Sequence, residues 1–219
     1  MTTETLASLI HFLGILLLIS SFWILTSSQI RTSIRAYAAH SFFLALITGV
    51  IAIANHIEHL LISAILTFGL KAIVIPHVFF RMIRRLGIRK EVESYVNIPF
   101  TLLLAVLLVF VSFYVTRDGS FLKPVAFGEC IPLAIATVFF GMLMMTTRKK
   151  AISQILGLLL IENGLFLMAV TMTFGMPLLV EMGIFFDLLV AVMIMGVFIF
   201  KIRDAFESID TDEMTGLKG

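Results

Sequence analysis

Two acidic residues lie inside apolar stretches that are each long enough to cross a lipid bilayer. Glu162 lies within AISQILGLLLIENGLFLMAV, and Asp187 lies within MGIFFDLLVAVMIMGVFIF. A charged side chain at the centre of a bilayer costs at least about 2.5 kcal/mol on insertion scales, so such residues usually mark a path for ions or protons. The pair therefore predicts a proton relay. The alternative is structural, because a neutral, protonated acid can also hydrogen-bond across a helix interface and only hold the helices together.

A third ionisable residue, Lys71, lies in the middle of the apolar segment LTFGLKAIVIPHVFF. An unpaired ammonium group there is very costly, so Lys71 is expected to be paired with an acid or deprotonated. Pro76 has no N–H to donate to the carbonyl of Ala72, which interrupts the helical backbone beside the lysine. Such an interruption suits a water-lined path. Alternatively, Lys71 reaches toward the interface or balances the charge of Glu162 for folding alone.

Further polar residues accompany these positions. Asn163 follows Glu162 directly, and Gly164 permits the close approach of another helix. Glu181 lies near the outer end of the last apolar segment, where an acid can also simply reach water. Glu129 is expected at the beginning of a helix, where a negative charge is favourable without any role in transport.

The histidines are weaker candidates. His40 and His77 lie in apolar segments and can extend a proton path, although a lone histidine there is more often a hydrogen-bonded interface residue. His11 has the same interpretation. His56 and His59 are three residues apart, which one helix face accommodates, but no further ligands accompany them in this short loop. We therefore predict no metal site.

The composition predicts a membrane protein. Of 219 residues, 60% are hydrophobic and 14% are charged, whereas soluble domains have about 25% charged residues. The single Cys130 excludes an internal disulfide and a cysteine-ligated iron–sulfur cluster within this chain. The chain has no glycine-rich phosphate loop or nucleotide signature, and its net charge of +2 gives no indication of nucleic-acid binding. The expected surroundings are a lipid bilayer.

Seven stretches are long enough for the roughly 20 apolar residues that a transmembrane helix requires. They lie at residues 5–27, 36–54, 58–80, 98–116, 126–146, 151–173 and 178–201. The breaks between them are short. The sequence therefore predicts an all-α, polytopic membrane protein with seven transmembrane helices.

The basic residues outside these stretches lie almost entirely on one side of the predicted bundle. That side holds Arg31, Arg35, Arg81, Arg84, Arg85, Arg89, Lys90, Arg148, Lys149, Lys150, Lys201, Arg203 and Lys218, and the other side holds Arg117 and Lys123. Positively charged loops remain in the cytoplasm. The bias predicts an N-terminus outside the cell and a C-terminus in the cytoplasm.

The last three predicted helices and the tail resemble the small three-helix K subunit of proton-pumping NADH–quinone oxidoreductase (complex I) and the C subunit of multisubunit sodium/proton antiporters. Glu162 and Asn163, in LLLIENGLFLMA, match the glutamate of the middle helix and the asparagine near it. Asp187 precedes the basic Lys201 with the spacing of the family's second acid, where a glutamate is typical. The tail SIDTDEMTGLKG also resembles the family pattern.

The whole chain resembles the hydrogenase-4 component E family more closely. Members of this family carry a lysine ahead of a proline in the third helix, which Lys71 and Pro76 match in LKAIVIP. The segment LLVEMGIFFDLLVAVMIMG, with Glu181 and Asp187, matches a second family string. The family adds four helices before the K-like core.

The resemblance implies a four-helix N-terminal extension over residues 1–125, a three-helix K-like core over 126–203 and a cytoplasmic tail over 204–219. It implies a subunit of a group 4 [NiFe]-hydrogenase or formate hydrogenlyase-type complex in a bacterial or archaeal inner membrane. The expected partners are antiporter-like and other membrane-arm subunits and a peripheral hydrogenase arm. The [NiFe] centre and iron–sulfur clusters would lie on those partners, and this chain would have no catalytic centre or cofactor of its own.

These considerations together predict a chain that relays protons, or another cation, through the membrane. The relay residues are Glu162, Asp187, Lys71 and Glu181, with Asn163, Pro76 and His77 in supporting positions. One alternative is a subunit of a dedicated cation/proton antiporter. A second is a structural adaptor whose acids only join helices, and a free-standing transporter is less favoured because the sequence shows no duplicated halves.

Overall fold

The computed structural model describes residues 3–86, 94–117 and 128–173. The predicted seventh span, which contains Glu181 and Asp187, and the predicted tail lie outside the described residues. Within those residues all regular secondary structure is helical, apart from an isolated β-bridge between Ser94 and Arg148.

The helices follow the apolar stretches of the sequence. They are α1 (Thr3–Thr26), α2 (Ile30–Ala54), α3 (Glu58–Leu66), a π-helical segment (Thr67–Val74), α4 (Ile75–Leu86), α5 (Ile98–Thr116), α6 (Ile131–Thr147) and α7 (Ala151–Thr173). A short 3₁₀ turn, Gly128–Cys130, precedes α6. The segments α3, π and α4 follow one another without a break and form one continuous helix.

Five of the described spans are long and apolar enough to cross a membrane. They are Thr5–Thr26, Ile30–Ala54, Glu58–Arg84, Ile98–Thr116 and Ala151–Thr173. The helix Ile131–Thr147 is apolar but shorter. The all-helical prediction is thus confirmed for the described residues, whereas the number of seven spans is not.

Two predicted helix boundaries were wrong, and both lie where the helix carries arginines. The second helix begins at Ile30 rather than at residue 36, so Arg31 and Arg35 lie on exposed positions of α2 instead of in a loop. Ile30 and Ile34 are buried on the opposite face and extend the apolar stripe by four residues, which is one helical turn. Arginine is also a good helix former, so it does not end the helix.

The third span continues to Leu86 rather than ending at residue 80. Arg81 and Arg84 are exposed on α4, while Met82 and Ile83 are buried. The cationic side chains therefore belong to an amphipathic last part of the helix. The predicted fifth helix begins at Ile131 rather than at residue 126.

Helices α6 and α7 pack closely along small residues. A Cβ atom on Gly141 would lie 2.5 Å from the carbonyl oxygen of Gly157, and one on Gly164 would lie 2.8 Å from the carbonyl oxygen of Ala134. Small residues allow helix backbones to approach in a membrane, where lipid removes most of the hydrophobic driving force for association. The expected role of Gly164 in close helix approach is present here.

The loop between α6 and α7 is tied to the end of α1. Arg148 is buried, and its guanidinium donates a hydrogen bond to the carbonyl oxygen of Leu25. The N–H of Tyr95 donates to the carbonyl oxygen of Thr147 at 2.9 Å. Burial lowers the pKa of Arg148, but an arginine starts from so high a value that it stays charged. The end of α1, the loop between α6 and α7, and the residues just before α5 therefore meet at this end of the bundle.

Helix α2 lies at the centre of the bundle and contacts α1, α3, the π segment, α4 and α7. The buried apolar residues form two clusters, one toward each end of the bundle. One cluster includes Ile24, Ile34 and Leu160, and the other includes Leu17 and Leu44. On α1, α2, the π segment and α7, several buried polar residues lie between the two clusters.

We call this intervening set the polar layer. It consists of Ser20, Ser21, the hydroxyl end of Tyr37, His40, Ser41, Thr67, Lys71, Glu162 and Asn163. These residues come from α1, α2, the π segment and α7, and they lie near the middle of the last three of these elements.

Candidate functional site

An ion pair between Lys71 and Glu162 lies in the polar layer. The Nζ atom of Lys71 is 2.7 Å from Oε1 of Glu162, and the exposed fractions of the two side chains are 0% and 15%. An ammonium group fully withdrawn from water requires a charged partner and hydrogen bonds, because the desolvation cost is several kcal/mol per ion. The two ionisable residues that the sequence identified in separate apolar segments therefore meet.

Asn163 connects this pair to α2. Its Oδ1 accepts a hydrogen bond of 2.9 Å from Nζ of Lys71, and its Nδ2 donates one of 3.1 Å to Oγ of Ser41. The ring centroid of Phe166 is 5.4 Å from Nζ, a distance that permits a cation–π interaction. The Lys71 side chain thus contacts three residues of α7, and Asn163 continues the contact to α2.

The backbone around Lys71 has π-helical rather than α-helical geometry. The N–H of Ile75 donates to the carbonyl oxygen of Leu70, five residues earlier. The sequence predicted a missing α-helical bond at Ala72, caused by Pro76. In the structure the irregular backbone extends over the whole π segment. A π turn is wider than an α turn, and it occurs frequently at functional sites.

Four buried side-chain atoms in the described part of the chain have no hydrogen-bond partner. They are Tyr37 Oη, His40 Nε2, Thr67 Oγ1 and Glu162 Oε2. All four belong to the polar layer. Buried polar atoms are nearly always paired with protein or with ordered water, so each unpaired one is a position where water or a proton carrier can bind.

His40 is held on its other ring nitrogen by α1. Its Nδ1 atom is 3.2 Å from the carbonyl oxygen of Leu17, 3.2 Å from Oγ of Ser20 and 3.0 Å from Oγ of Ser21. The imidazole thus lies between α1 and the centre of the layer. The hydroxyl of Tyr37, one turn earlier on α2, lies beside Ser41 and Asn163 without meeting hydrogen-bond geometry.

The remaining predicted residues are placed elsewhere. Pro76 is buried two residues after the π segment. His77 is exposed on α4 and lines an open groove with Phe80, Arg81 and Arg84. Within the described residues, no hydrogen bond or ion pair joins His77 to Lys71 or Glu162.

The other candidate groups do not form a site in the described residues. His56 and His59 are exposed, and His56 has a positive φ of 55° in the tight turn after α2. Over residues 3–86, 94–117 and 128–173, no three His, Cys, Asp or Glu side chains converge as they would around a metal ion. Cys130 is buried and is not in a disulfide.

Sequence reasoning did not identify Tyr37, Ser41 and Thr67. A signal was present, because Tyr37 and Ser41 are four residues apart and so share one face of α2, and Thr67 and Lys71 have the same spacing. Polar residues repeated at this spacing in the middle of an apolar span indicate a polar face.

Comparisons with known proteins cover the whole chain. Residues 131–219 match the family model described as NADH-ubiquinone/plastoquinone oxidoreductase chain 4L. Hydrogenase-4 component E of Escherichia coli and that of Shigella flexneri are each 25% identical over 211 residues, which are 96% of this chain and 98% of the relative. The uncharacterized protein Rv0085 of Mycobacterium tuberculosis is 29% identical over 219 residues, the full length of both chains. No solved structure matches the chain.

The resemblance stated from the sequence is confirmed by these comparisons. The chain is homologous to hydrogenase-4 component E along nearly its whole length, and its C-terminal part carries a match to chain 4L, the K subunit. Several apolar helices and these relatives point to a multi-pass membrane protein. The family match begins at Ile131, so Glu162 lies within the matched part and Lys71 lies before it.

Proposed function

We propose that this chain is a membrane-arm subunit of a complex-I-like, group 4 [NiFe]-hydrogenase-type complex. In this proposal it contributes to proton (or ion) translocation coupled to electron transfer on partner subunits. The observation that carries the proposal is the buried ion pair between Lys71 and Glu162 in the middle of the bundle. The names of the relatives, hydrogenase-4 component E and oxidoreductase chain 4L, support the proposed assignment to a complex-I-like, hydrogenase-type complex.

The pair is suited to taking up and releasing one proton. Moving a proton from Nζ of Lys71 to Oε1 of Glu162 converts the ion pair into a neutral amine and a carboxylic acid. Neither of these two forms leaves a lone charge in the low-dielectric interior, so the proton can shift within the pair. A further proton taken up by Glu162 gives a carboxylic acid beside the ammonium of Lys71, and the net charge of this form favours passing a proton on. The second oxygen, Oε2, is buried without a partner among the described residues, so it is free to exchange a proton with a neighbouring carrier.

The contacts of the pair hold the Lys71 side chain in place and leave the Glu162 side chain partly accessible. Lys71 is held by Asn163 as well as by the carboxylate, whereas Glu162 keeps 15% of its side chain exposed. The carboxyl is therefore the group through which protons enter or leave, and Lys71 sets its charge state. Asp187 and Glu181 would continue the relay in the last helix, with Pro76 and His77 in supporting positions.

The proposal extends to the organisation of the chain. Residues 1–125 form an N-terminal extension, residues 126–203 a K-like core and residues 204–219 a cytoplasmic tail, with the N-terminus outside the inner membrane of a bacterium or archaeon. The partners are antiporter-like subunits, other membrane-arm subunits and a peripheral arm with the [NiFe] centre and iron–sulfur clusters. The ion pair would then join the extension to the core.

Purification of the tagged chain from its native membrane in mild detergent tests the kind of complex. We expect nickel, iron and a hydrogenase-like large subunit to co-purify. Large antiporter-like partners without these metals would instead favour a dedicated cation/proton antiporter, and purification of the chain alone would contradict both assignments.

The variant Glu162→Gln tests the relay. Glutamine keeps the shape of glutamate and a hydrogen-bonding oxygen but cannot exchange a proton, so assembly should persist while proton translocation falls. The measurement is dye-reported acidification of inverted membrane vesicles during electron transfer. Glu58→Gln is the matched control, because Glu58 is exposed at the beginning of α3. Unchanged translocation in Glu162→Gln would contradict a relay at this residue.

A structural adaptor is the second candidate function, and the same contacts favour it. The group formed by Lys71, Glu162, Asn163 and Ser41 joins the π segment, α7 and α2. If its role is only to join helices, Glu162→Gln should keep full translocation because glutamine still accepts a hydrogen bond. Glu162→Leu should then abolish assembly, because the buried ammonium loses its partner.

A further inference from the structure

His40 is a further ionisable residue of the polar layer in the described part of the chain, and its imidazole can carry a proton on either ring nitrogen or on both. It is fully buried in the middle of α2. Among the described titratable or charged groups, Lys71 of the π segment acts on it through its charge, and Tyr37, three residues earlier, shares its face of α2. Glu162 of α7 acts in turn on Tyr37. From α1 it faces only hydroxyl and carbonyl groups.

The contacts with α1 determine which ring nitrogen carries the proton. The carbonyl oxygen of Leu17 can only accept a hydrogen bond, and it lies 3.2 Å from Nδ1 of His40. The hydroxyls of Ser20 and Ser21 donate to that same carbonyl oxygen at 2.6 and 3.0 Å, so their oxygens are available to accept from the imidazole. Nδ1 therefore carries the hydrogen in the neutral ring, and Nε2 has a free lone pair.

The free lone pair of Nε2 is directed away from these α1 contacts, because the two nitrogens lie on different sides of the ring. Nε2 has no hydrogen-bond partner in the described structure, and neither has the hydroxyl of Tyr37. The tyrosine hydroxyl lies beside Ser41 and Asn163, and Asn163 is bonded to Lys71. Tyr37 and His40 are three residues apart and so share one face of α2, and the charge of Lys71 acts on His40. The polar groups around the ion pair therefore lie near a buried proton acceptor.

We propose that His40 is a second proton-carrying site, which extends the path from the Lys71–Glu162 pair across α2 to α1. The inference rests on the proposed relay at Glu162 and assigns a role to the N-terminal part of the chain. The pair, when it holds one extra proton, passes a proton to the hydroxyl of Tyr37 or to a water molecule beside it. That carrier donates its own proton to Nε2 of His40.

The step conserves protons and charge. The pair returns from a carboxylic acid and an ammonium to a carboxylate and an ammonium, and His40 becomes an imidazolium with both nitrogens protonated. Nδ1–H keeps an acceptor in both states, either the carbonyl oxygen of Leu17 or a hydroxyl of Ser20 or Ser21, so the ring keeps its position. Loss of a proton from either nitrogen then restores the neutral ring.

The variant His40→Asn separates this role from a structural one. The side-chain nitrogen of asparagine can take the place of Nδ1 and still donate to Leu17, but nothing replaces Nε2. We expect assembly to persist and proton translocation to fall by about 10²-fold or more, since positioned acid–base groups accelerate proton transfer by about 10²–10⁴-fold. His59→Gln is the matched control, because His59 is exposed at the outer end of α3, and it should translocate normally.

A second measurement uses the wild-type complex, so that the result does not depend on a variant that folds. Nitrogen-15 NMR of the complex, with histidine labelled and His40 assigned by its absence in His40→Asn or by selective dilution, reports the protonation of each ring nitrogen. We expect the Nε2 signal to change between protonated and unprotonated forms when the proton gradient is imposed. A ring that stays in the Nδ1–H form under every gradient would overturn the proposal.

The two failures can be told apart. If Glu162→Gln stops translocation and His40→Asn stays within twofold of wild type, the relay stands and the role of His40 is wrong. If Glu162→Gln has no effect, the relay itself is wrong, whatever His40→Asn does. Loss in both variants, with His59→Gln normal, supports both.

Discussion

The ion pair between Lys71 and Glu162 predicts a specific order of stabilities among three variants. Lys71→Met leaves a largely buried carboxylate without its cation, and Glu162→Leu removes the carboxylate that lies 2.7 Å from the fully buried ammonium. Removing one partner of a buried pair typically costs about 3–5 kcal/mol. Glu162→Leu should lie at the upper end of this range, because Lys71 is 0% exposed and Glu162 is 15% exposed.

The double variant, with methionine at position 71 and leucine at position 162, should recover most of this loss. Replacing both members of a buried pair by apolar residues is often neutral or stabilising by about 1–4 kcal/mol. Against this gain, Oδ1 of Asn163 loses its donor, which costs about 1–3 kcal/mol. The two effects nearly cancel, so the double variant should be close to wild type in stability.

The assay is thermal unfolding of the purified complex, followed by the retention of this chain. For a chain of 150–250 residues, about 1 kcal/mol shifts the unfolding midpoint by 2–4 °C. The single variants should therefore lose roughly 6–20 °C, and the double variant only a few degrees. The double variant should still fail to translocate protons. A double variant as unstable as the worse single variant would refute the pairing.

Two further predictions concern the helix contacts. Gly141→Leu should separate α6 from α7 and prevent assembly, because even a Cβ atom there would lie 2.5 Å from a carbonyl oxygen of α7. Gly69→Ala should be tolerated, because nothing lies within 4 Å of its Cβ. Detergent gel filtration distinguishes the two variants, and an assembled Gly141→Leu complex would contradict the close packing. Arg148→Met removes the hydrogen bond to Leu25 and should destabilise the end of α1 by about 1–3 kcal/mol, whereas the exposed Arg117→Met should stay within about 0.5 kcal/mol of wild type. Limited proteolysis measures this difference, and equal cleavage of the two variants would refute the role of Arg148.

The sequence predicted the parts of the fold that depend on hydropathy alone. The helices Ile98–Thr116 and Ala151–Thr173 have the predicted boundaries. Polar residues bound the first run on both sides and precede the second, and Gly175 and Pro177 follow the second. The beginning of α2 at Ile30 was missed because its first turns are amphipathic, with Arg31 and Arg35 on one face. Average hydropathy falls in such turns although the helix continues.

The site required tertiary information. The sequence named Lys71 and Glu162 as ionisable residues at membrane depth, but only packing decides which helix faces meet. The π segment around Lys71 was anticipated only as an interruption near Pro76, because a change from α to π geometry depends on neighbouring helices as well as on proline. The choice of His40 over His77 depends on which face of each helix is buried, and a single histidine in an apolar run carries no such information.

The most direct test of the central claim is the number of protons translocated per electron pair in the intact complex, compared between wild type, Glu162→Gln and Glu58→Gln. We expect Glu162→Gln to lower this ratio while electron transfer continues, because the pair no longer exchanges a proton, and Glu58→Gln to leave it unchanged. An unchanged ratio in Glu162→Gln, with the complex assembled and electron transfer intact, would contradict the claim that the Lys71–Glu162 pair carries protons.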